Sequence, residues 1–236
     1  MLDFNRTSLS TGAVNTAVND AIERAVVCAA DEPRQYLGAS IAGGGCLRKI
    51  QYDWMCQLVH PVRLRDIFAR GHFFEEQSRQ RLISAGFQFG PATALGFTAI
   101  NGLLQGHADG VITAGPGIPG VTYPCLWEHK AVNNKGWSAL ERDGLEKAYP
   151  QYAAQVALYQ AYLDVTNPAL FTALNADTCE RLHFLVPFNA ERAQAWSDRA
   201  VTVIEATRAG ELLPRLTDDS ADWRCKMCSH RERCSR

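Results

Sequence analysis

Apolar positions recur along this chain with a helical period in some stretches and a strand period in others. An alanine-rich stretch from Asn15 through Ala30 reads as helix ending near Pro33. After the glycines of "LGASIAGGGCLRKIQYDWMCQL", Leu47, Ile50, Trp54 and Leu58 mark one face of a second helix that must stop before Pro61. A third runs from about Val62 to Ala85 on Leu64, Ile67, Phe68, Phe74 and Leu82, with Gly86 as its C-terminal cap. Gly71 interrupts it, and a glycine inside a helix costs about 1 kcal/mol relative to alanine, so a break or a close approach is expected there.

The period then shortens. "FTAINGLLQGHADGVIT" and "VTYPCLWEHKAV" read as two strand-like segments joined through "AGPGIPG" as a loose hairpin. "YPQYAAQVALYQAYLD" returns to the helical period as a strong amphipathic helix with Pro150 in its first turn, and "RLHFLVPFN" is a further strand. Asn189 caps a last long helix from Ala190 to about Ala209, with Gly210 just beyond it. No internal repeat appears, and the expected architecture is one α/β domain whose ends carry the cysteines.

Within the second strand, "WEHKAV" places an acid, a histidine and a lysine where apolar residues would serve a buried strand better. Strand side chains alternate faces, so Glu128 and Lys130 share one surface, while Trp127 and His129 take the other. A buried ion pair seldom improves on apolar packing, which favours a functional role; an edge strand facing water would carry the same letters without one. Asp109, in "GHADG", ends the preceding segment, and antiparallel pairing across the loop brings it beside Glu128. Two carboxylates with phosphate oxygens suit Mg²⁺ or Mn²⁺. A lysine beside them can orient or deprotonate an attacking water and neutralise charge on phosphorus. His107 and His129 read as structural.

Composition changes this picture little. The 236 residues are 47% hydrophobic and 21% charged with a net charge of −1, so a polyanion partner would need a local surface. Two stretches are locally basic: residues 46–81, with seven Lys/Arg against four acids, and 224–236, with five against one. No apolar run is long enough for a membrane span, and the first residues lack a basic segment followed by an apolar core; a cytoplasmic protein is expected. No phosphate loop of the Walker type follows "AGGG".

Eight cysteines in such a chain point to metal rather than disulfides. "WRCKMCSHRERC" sets Cys225, Cys228 and Cys234 within reach of one centre, which wants a fourth ligand. His230 would complete a zinc site of three cysteines and a histidine. Cys46 and Cys56 are the other candidates, and Cys28, Cys125 and Cys179 read as core residues.

Asp109, eighteen intervening residues and then Glu128-His129-Lys130 resemble the PD-(D/E)XK nucleases. "RGHFFEEQSRQRLISAGF" resembles the first motif of the RecB-like branch, with Glu75 at the motif position and His72 as its competitor. Gln155 and Tyr159 match that branch's Q-x3-Y motif, and their i,i+4 spacing puts both on one helical face. "LGASIAGGGCLRKIQYDW" (Cys46, Arg48, Tyr52) and the stretch between the ExK strand and the Q-x3-Y helix are similar to phage-type and CRISPR-associated RecB-like exonucleases. The likeness covers roughly residues 37–165 and the last dozen.

The resemblance implies a restriction-endonuclease-like core, a mixed central sheet flanked by helices, with terminal segments joined by a cysteine metal cluster. It implies a helical extension over 1–35, a cluster-binding segment over 36–60, a nuclease core over 61–210 and a cysteine segment over 211–236. Glu75, Asp109, Glu128 and the backbone carbonyl of His129 would hold Mg²⁺ or Mn²⁺. Lys130 would act on water, and Gln155 and Tyr159 would organise the lysine and the phosphate. Cys46, Cys225, Cys228 and Cys234 would hold a 4Fe-4S cluster, with structural Zn²⁺ as the alternative. Arg48, Arg231 and Arg233 are candidate phosphate contacts. The implied activity is a DNA exonuclease in recombination, repair or phage DNA processing, acting on single strands or free ends, with a helicase, recombinase or CRISPR adaptation partner. A structure-selective endonuclease or nickase, or an inactive DNA-end-binding module, are the alternatives.

Overall fold

A computed structural model describes residues 11–27, 34–56, 60–219 and 221–234. Its elements in chain order are α1 (Thr11–Val27), β1 (Leu37–Gly38), α2 (Ala39–Ala42), α3 (Leu47–Met55), α4 (Val62–Ser84), β2 (Gln88–Phe89), β3 (Gly96–Ala99), β4 (Leu104–His107) and β5 (Gly110–Ala114). Then follow β6 (Cys125–Val132), α5 (Asn134–Ala148), α6 (Pro150–Tyr162), β7 (Ala169–Asn175), β8 (Arg181–Val186), α7 (Ala190–Arg208), α8 (Trp223–Lys226) and α9 (Arg231–Cys234).

Five strands form the main sheet in the order β2-β5-β6-β7-β8. The expected hairpin is present: β5 and β6 pair antiparallel with Gly110 opposite Trp127. β6 and β7 run parallel, which requires a crossover, and α5 with α6 supply it. β7 pairs antiparallel with β8. A smaller sheet, β1-β4-β3, holds β1 parallel and β3 antiparallel to β4. The mixed α/β architecture is as the sequence implies, and β6 lies at the middle of the main sheet rather than at an edge.

The two faces of β6 belong to two cores. Leu126 and Val132 join Phe171, Ala173, Val156 and Leu158 on the side covered by α6. Cys125 and Trp127 join Ile112, Leu170 and Phe87 on the other side, where Leu82 of α4 packs. From Ala153 to Gln160 every residue of α6 is buried. A helix buried all round must accept close neighbours; a Cβ on Gly43, at the end of α2, would stand 2.7 Å from the Ala154 Cβ.

The chain ends are fastened to each other by hydrogen bonds. Gln51 Nε2 donates to Thr207 Oγ1 at 3.2 Å and to the Glu211 carbonyl at 2.8 Å, and Gln51 Oε1 accepts from Leu213 N at 2.7 Å. A fully buried glutamine thus satisfies its amide entirely with the last turn of α7 and the segment after it.

Several boundaries differ from the sequence reading. The helix expected to reach Leu58 ends at Met55, with Leu58 outside the described residues, as are Cys28 and the expected helix end toward Pro33. Gly71 neither breaks α4 nor meets anything: a Cβ there would have open space within 4 Å. Gly86 does cap that helix, at φ +94°. "FTAINGLLQGHADGVIT" is three strands rather than one segment, because Ile100, Asn101 and Gly102 all take positive φ and reverse the chain. β7 and α5 were not anticipated, and α5 is kinked at Gly144, φ +75°. Asn189 caps α7 as expected, accepting from Arg192 N at 2.8 Å. Cys125 is buried as expected; Cys179 is exposed in a turn at φ +64° and is no core residue.

Candidate active site

Because β6 is central, Glu128 is fully buried, and Lys130 on the same face reaches it: Nζ donates to Oε1 at 2.5 Å. The other oxygen, Oε2, is buried without a hydrogen-bond partner. Asp109 sits at the bend between β4 and β5, one residue beyond the last β5 pair, and its Oδ2 accepts from His129 N at 2.7 Å. A strand residue directs its N–H and C=O to the same edge, so the His129 carbonyl also points toward Asp109, where β5 no longer pairs. Glu75, on α4, completes the group; His72 Nδ1 lies 3.7 Å from its Oε2, with the His72 side chain largely exposed.

The electrostatics show how closely these groups stand. Burial, then the charge of Asp109, push Glu128 up to about 8 against the opposing pull of Lys130. Burial raises Asp109, again opposed by Lys130. Burial and then Asp109 raise Glu75. Burial disfavours the Lys130 ammonium, but Glu128 and Asp109 outweigh it and hold the lysine above its ordinary value. Three carboxylates share one cation in a poorly solvated pocket, an arrangement short of positive charge.

The donor set fits a hard divalent ion. Oε2 of Glu128 is a buried carboxyl oxygen without a hydrogen-bond partner, and Asp109 stands close enough to Glu75 to raise its proton affinity. Among the described residues, no three or more His, Cys, Asp or Glu side chains stand close enough together to hold a metal ion by themselves. Mg²⁺ needs no such group, since it keeps several waters and binds through one or two carboxylates with substrate oxygens.

On the α6 side, Gln155 Nε2 donates to the Tyr159 hydroxyl at 3.0 Å, with both residues buried. Burial, then the nearby Glu128 charge, push Tyr159 up to about 12. Sequence reading missed Tyr152: the Lys130 ammonium lies 5.5 Å from its ring centroid, a cation–π contact, and Tyr149 stacks behind it at 4.9 Å. Behind β6, His129 Nε2 meets Ser78 Oγ of α4 at 3.1 Å. That bond ties α4 to the sheet one turn from Glu75, and burial pushes His129 down to about 3. His107 is exposed on β4.

The cysteines gather elsewhere. Cys46, Cys225, Cys228 and Cys234 line one cavity together with Tyr52 and His230, and Cys56 does not line it. Desolvation, then Asp222 and the neighbouring thiols of Cys46, Cys228 and Cys234, raise Cys225. His230 Nε2 is 2.8 Å from Asp53 Oδ1, so it already has a partner. Of the candidate phosphate contacts, Arg48 Nε donates to the Leu213 carbonyl at 2.6 Å, which turns it to a structural task. Arg233 lies over the Tyr52 ring at 5.2 Å, and Arg231 is exposed at the cavity.

No protein-family model matches the chain, and no curated protein matches it. Solved structures do. The exonuclease LHK-Exo in complex with dAMP has 16% sequence identity and a TM-score of 0.50, covering 74% of this chain and 89% of that one. The chain shares its fold with that exonuclease. A second structure of the protein, the alkaline exonuclease from Laribacter hongkongensis, has 15% identity and a TM-score of 0.49 over 81% of this chain and 93% of that one. A protein named SSO0001 has 11% identity and a TM-score of 0.45 over 94% of each chain. At these identities the likeness concerns the fold, and no helix among the described residues is long and apolar enough to cross a membrane.

Proposed function

We propose that this chain is a Mg²⁺- or Mn²⁺-dependent deoxyribonuclease that shortens DNA from free ends. The observation that carries the reading is the orphaned Oε2 of Glu128, set among Asp109, Glu75 and Lys130 in the middle of a central strand, just past its last pair with β5. Bound there, the ion would polarise the scissile phosphate and lower the pKa of a coordinated water.

The chain's own groups do the rest. Glu128, Asp109, Glu75 and the His129 carbonyl offer oxygens to the ion. Of the two roles open to Lys130, its raised proton affinity favours the one in which it stays protonated. It then orients the water and donates to the phosphate as charge builds on the oxygens. Water oxygen bonds to phosphorus as the bond to the departing sugar oxygen breaks, the water's proton passing to solvent and the sugar oxygen taking one from solvent, and Tyr159, held by Gln155, stands near the lysine on the α6 side. Tyr152 supports the ammonium with its ring face.

Cys46, Cys225, Cys228 and Cys234, which line one cavity, are the residues that would hold a 4Fe-4S cluster, and it would tie Cys46 to the C-terminal segment beside the Gln51 and Arg48 bonds. Its role would be structural, with metal-binding energy contributing to folding.

The test is incubation of anaerobically purified protein with end-labelled single- and double-stranded DNA and with closed circular DNA, in Mn²⁺, beside Lys130→Ala and an EDTA control. Mn²⁺-dependent shortening of linear DNA, lost in the variant, is the expected result. Nicking of circles would replace the exonuclease with an endonuclease, and intact DNA in every lane would overturn catalysis.

A further inference from the structure

Glu75 is delivered by α4. Arg65, Phe68, His72, Glu75 and Arg79 recur at intervals of three, four, three and four residues, which places them in one stripe along the helix. On the opposite face, α1 packs against α4, with Asn19, Ile22 and Glu23 meeting Arg63, Asp66 and Arg70 across a shared groove. The stripe therefore faces away from α1. Phe68 is 48% exposed, touched at its edge by His60 at 5.5 Å, and the His72 side chain is 83% exposed. An exposed phenylalanine two turns before a candidate metal ligand, on the ligand's own face, is a poor choice for stability alone.

We propose that this stripe is the track along which a single DNA strand enters or leaves the candidate active site, with Phe68 as a base-stacking platform. The inference rests on reading the acid cluster as a phosphodiesterase site. Seven residues of helix separate Phe68 from Glu75, about 10 Å of rise, which spans about three nucleotides at stacked spacing. Arg65, whose Nε donates to the His60 carbonyl at 3.3 Å, and His72, whose Nδ1 lies 3.7 Å from Glu75, flank the ring with a cation and a hydrogen-bonding group, so the face matches a chain of alternating bases and phosphates. The occupant is a single strand because an aromatic face can stack only on a base whose own face is free. Inside a duplex those faces are taken, and the exposed ring would gain nothing there.

The test measures binding without cleavage. Full-length protein in EDTA is titrated against a fluorescein-labelled single strand and a duplex of the same length closed at both ends by hairpin loops, read by anisotropy, with Phe68→Ala and Phe68→Trp beside the wild type. Equal thermal unfolding of the three proteins establishes that the variants are folded. Phe68→Ala is expected to weaken the single strand about tenfold, with Phe68→Trp restoring it and the duplex unchanged. Unchanged single-strand binding in Phe68→Ala, or an equal loss on both DNAs, overturns the proposal. Because EDTA removes catalysis, a Phe68-dependent single-strand affinity stands even where Mn²⁺ cleavage fails. Cleavage with no effect of Phe68 removes the track and leaves the nuclease reading in place.

Discussion

Glu128 and Lys130, two positions apart on β6, share one hydrogen bond of 2.5 Å, and it occupies a single oxygen of the carboxylate. The lysine therefore neutralises the pair without satisfying it. In a central strand such an arrangement costs desolvation free energy that apolar residues would not incur. The cost has a use if a cation completes the site.

A linked dependence on pH and metal follows. Glu128 is raised from 4.5 to about 8, so the folded state holds its proton more tightly than the unfolded one. Stability from this group is accordingly lost as pH rises from the ordinary carboxylate range toward 8. The slope is at most about 1.4 kcal/mol per pH unit for one proton. Lys130, raised above its ordinary value, stays charged across that window and contributes no slope. His129, pushed down to about 3, acts in the opposite direction, costing stability as pH falls below 6.5. Comparison with Glu128→Gln isolates the carboxylate. Mn²⁺ displaces the proton, so its thermal shift should be larger at about pH 8 than at about pH 6, and small in the variant. Equal shifts at both pH values would refute the assignment of Glu128 as a ligand.

Ser78 supplies a second, independent handle. Its hydroxyl is the partner of a buried histidine, and Ser78→Ala leaves His129 Nε2 unsatisfied. The loss should be about 1–3 kcal/mol in denaturant unfolding. Because Ser78 and Glu75 lie one turn apart on α4, nuclease rate should fall with it, and Ser78→Thr should restore part of both. A variant as stable and active as wild type would mean that α4 is positioned by other contacts.

What the sequence made legible was whatever rested on local period. Glu128 and Lys130 share a face because strands alternate, and Gln155 and Tyr159 meet because helices repeat at i,i+4. β7 was not legible: in "ALFTALN" the polar Thr172 and Asn175 are three apart among apolar residues, and every residue is buried, so no alternation marks it as strand. Nor was α5, whose Gly136 and Gly144 lower helical propensity. Tyr152 carries no signal of its own; its contact with Lys130 exists because the β6–β7 crossover lays α6 across β6. The Arg48 bond joins residues 165 positions apart, beyond any local pattern.

The cysteine cavity yields a separable outcome. Cys46→Ser and Cys228→Ala should give colourless, poorly soluble protein with little bound iron. Cys56→Ser should leave metal content and colour as in the wild type, because Cys56 lies outside the cavity. Elemental analysis of anaerobically purified wild type decides the metal: iron with acid-labile sulfide supports the cluster, and one zinc per chain replaces it with a structural zinc site. A brown, fully folded Cys228→Ala protein would remove that residue from the ligand set.

Gly106 tests whether Tyr159 must stay where α6 holds it. A Cβ at this β4 position would stand 2.4 Å from Phe97 Cε1 and 2.5 Å from Tyr159 Cε1, with the Ala39 Cβ 3.0 Å away on a third side. Phe97 is itself fixed by stacking on Tyr162 at 4.6 Å, so the tyrosine ring cannot be relieved by the phenylalanine alone. Gly106→Ala should destabilise by about 1–3 kcal/mol through overpacking. It should also move the Tyr159 hydroxyl off Gln155 and lower the nuclease rate. Gly71→Ala provides the contrast: with open space around it in α4, it should stabilise by about 0.5–1 kcal/mol through helix propensity. Thermal unfolding of the two variants gives opposite signs if the packing around Tyr159 is as tight as these distances state. A Gly106→Ala protein with wild-type stability and activity would show that the β4–α6 contact yields freely and that Tyr159 has no fixed task.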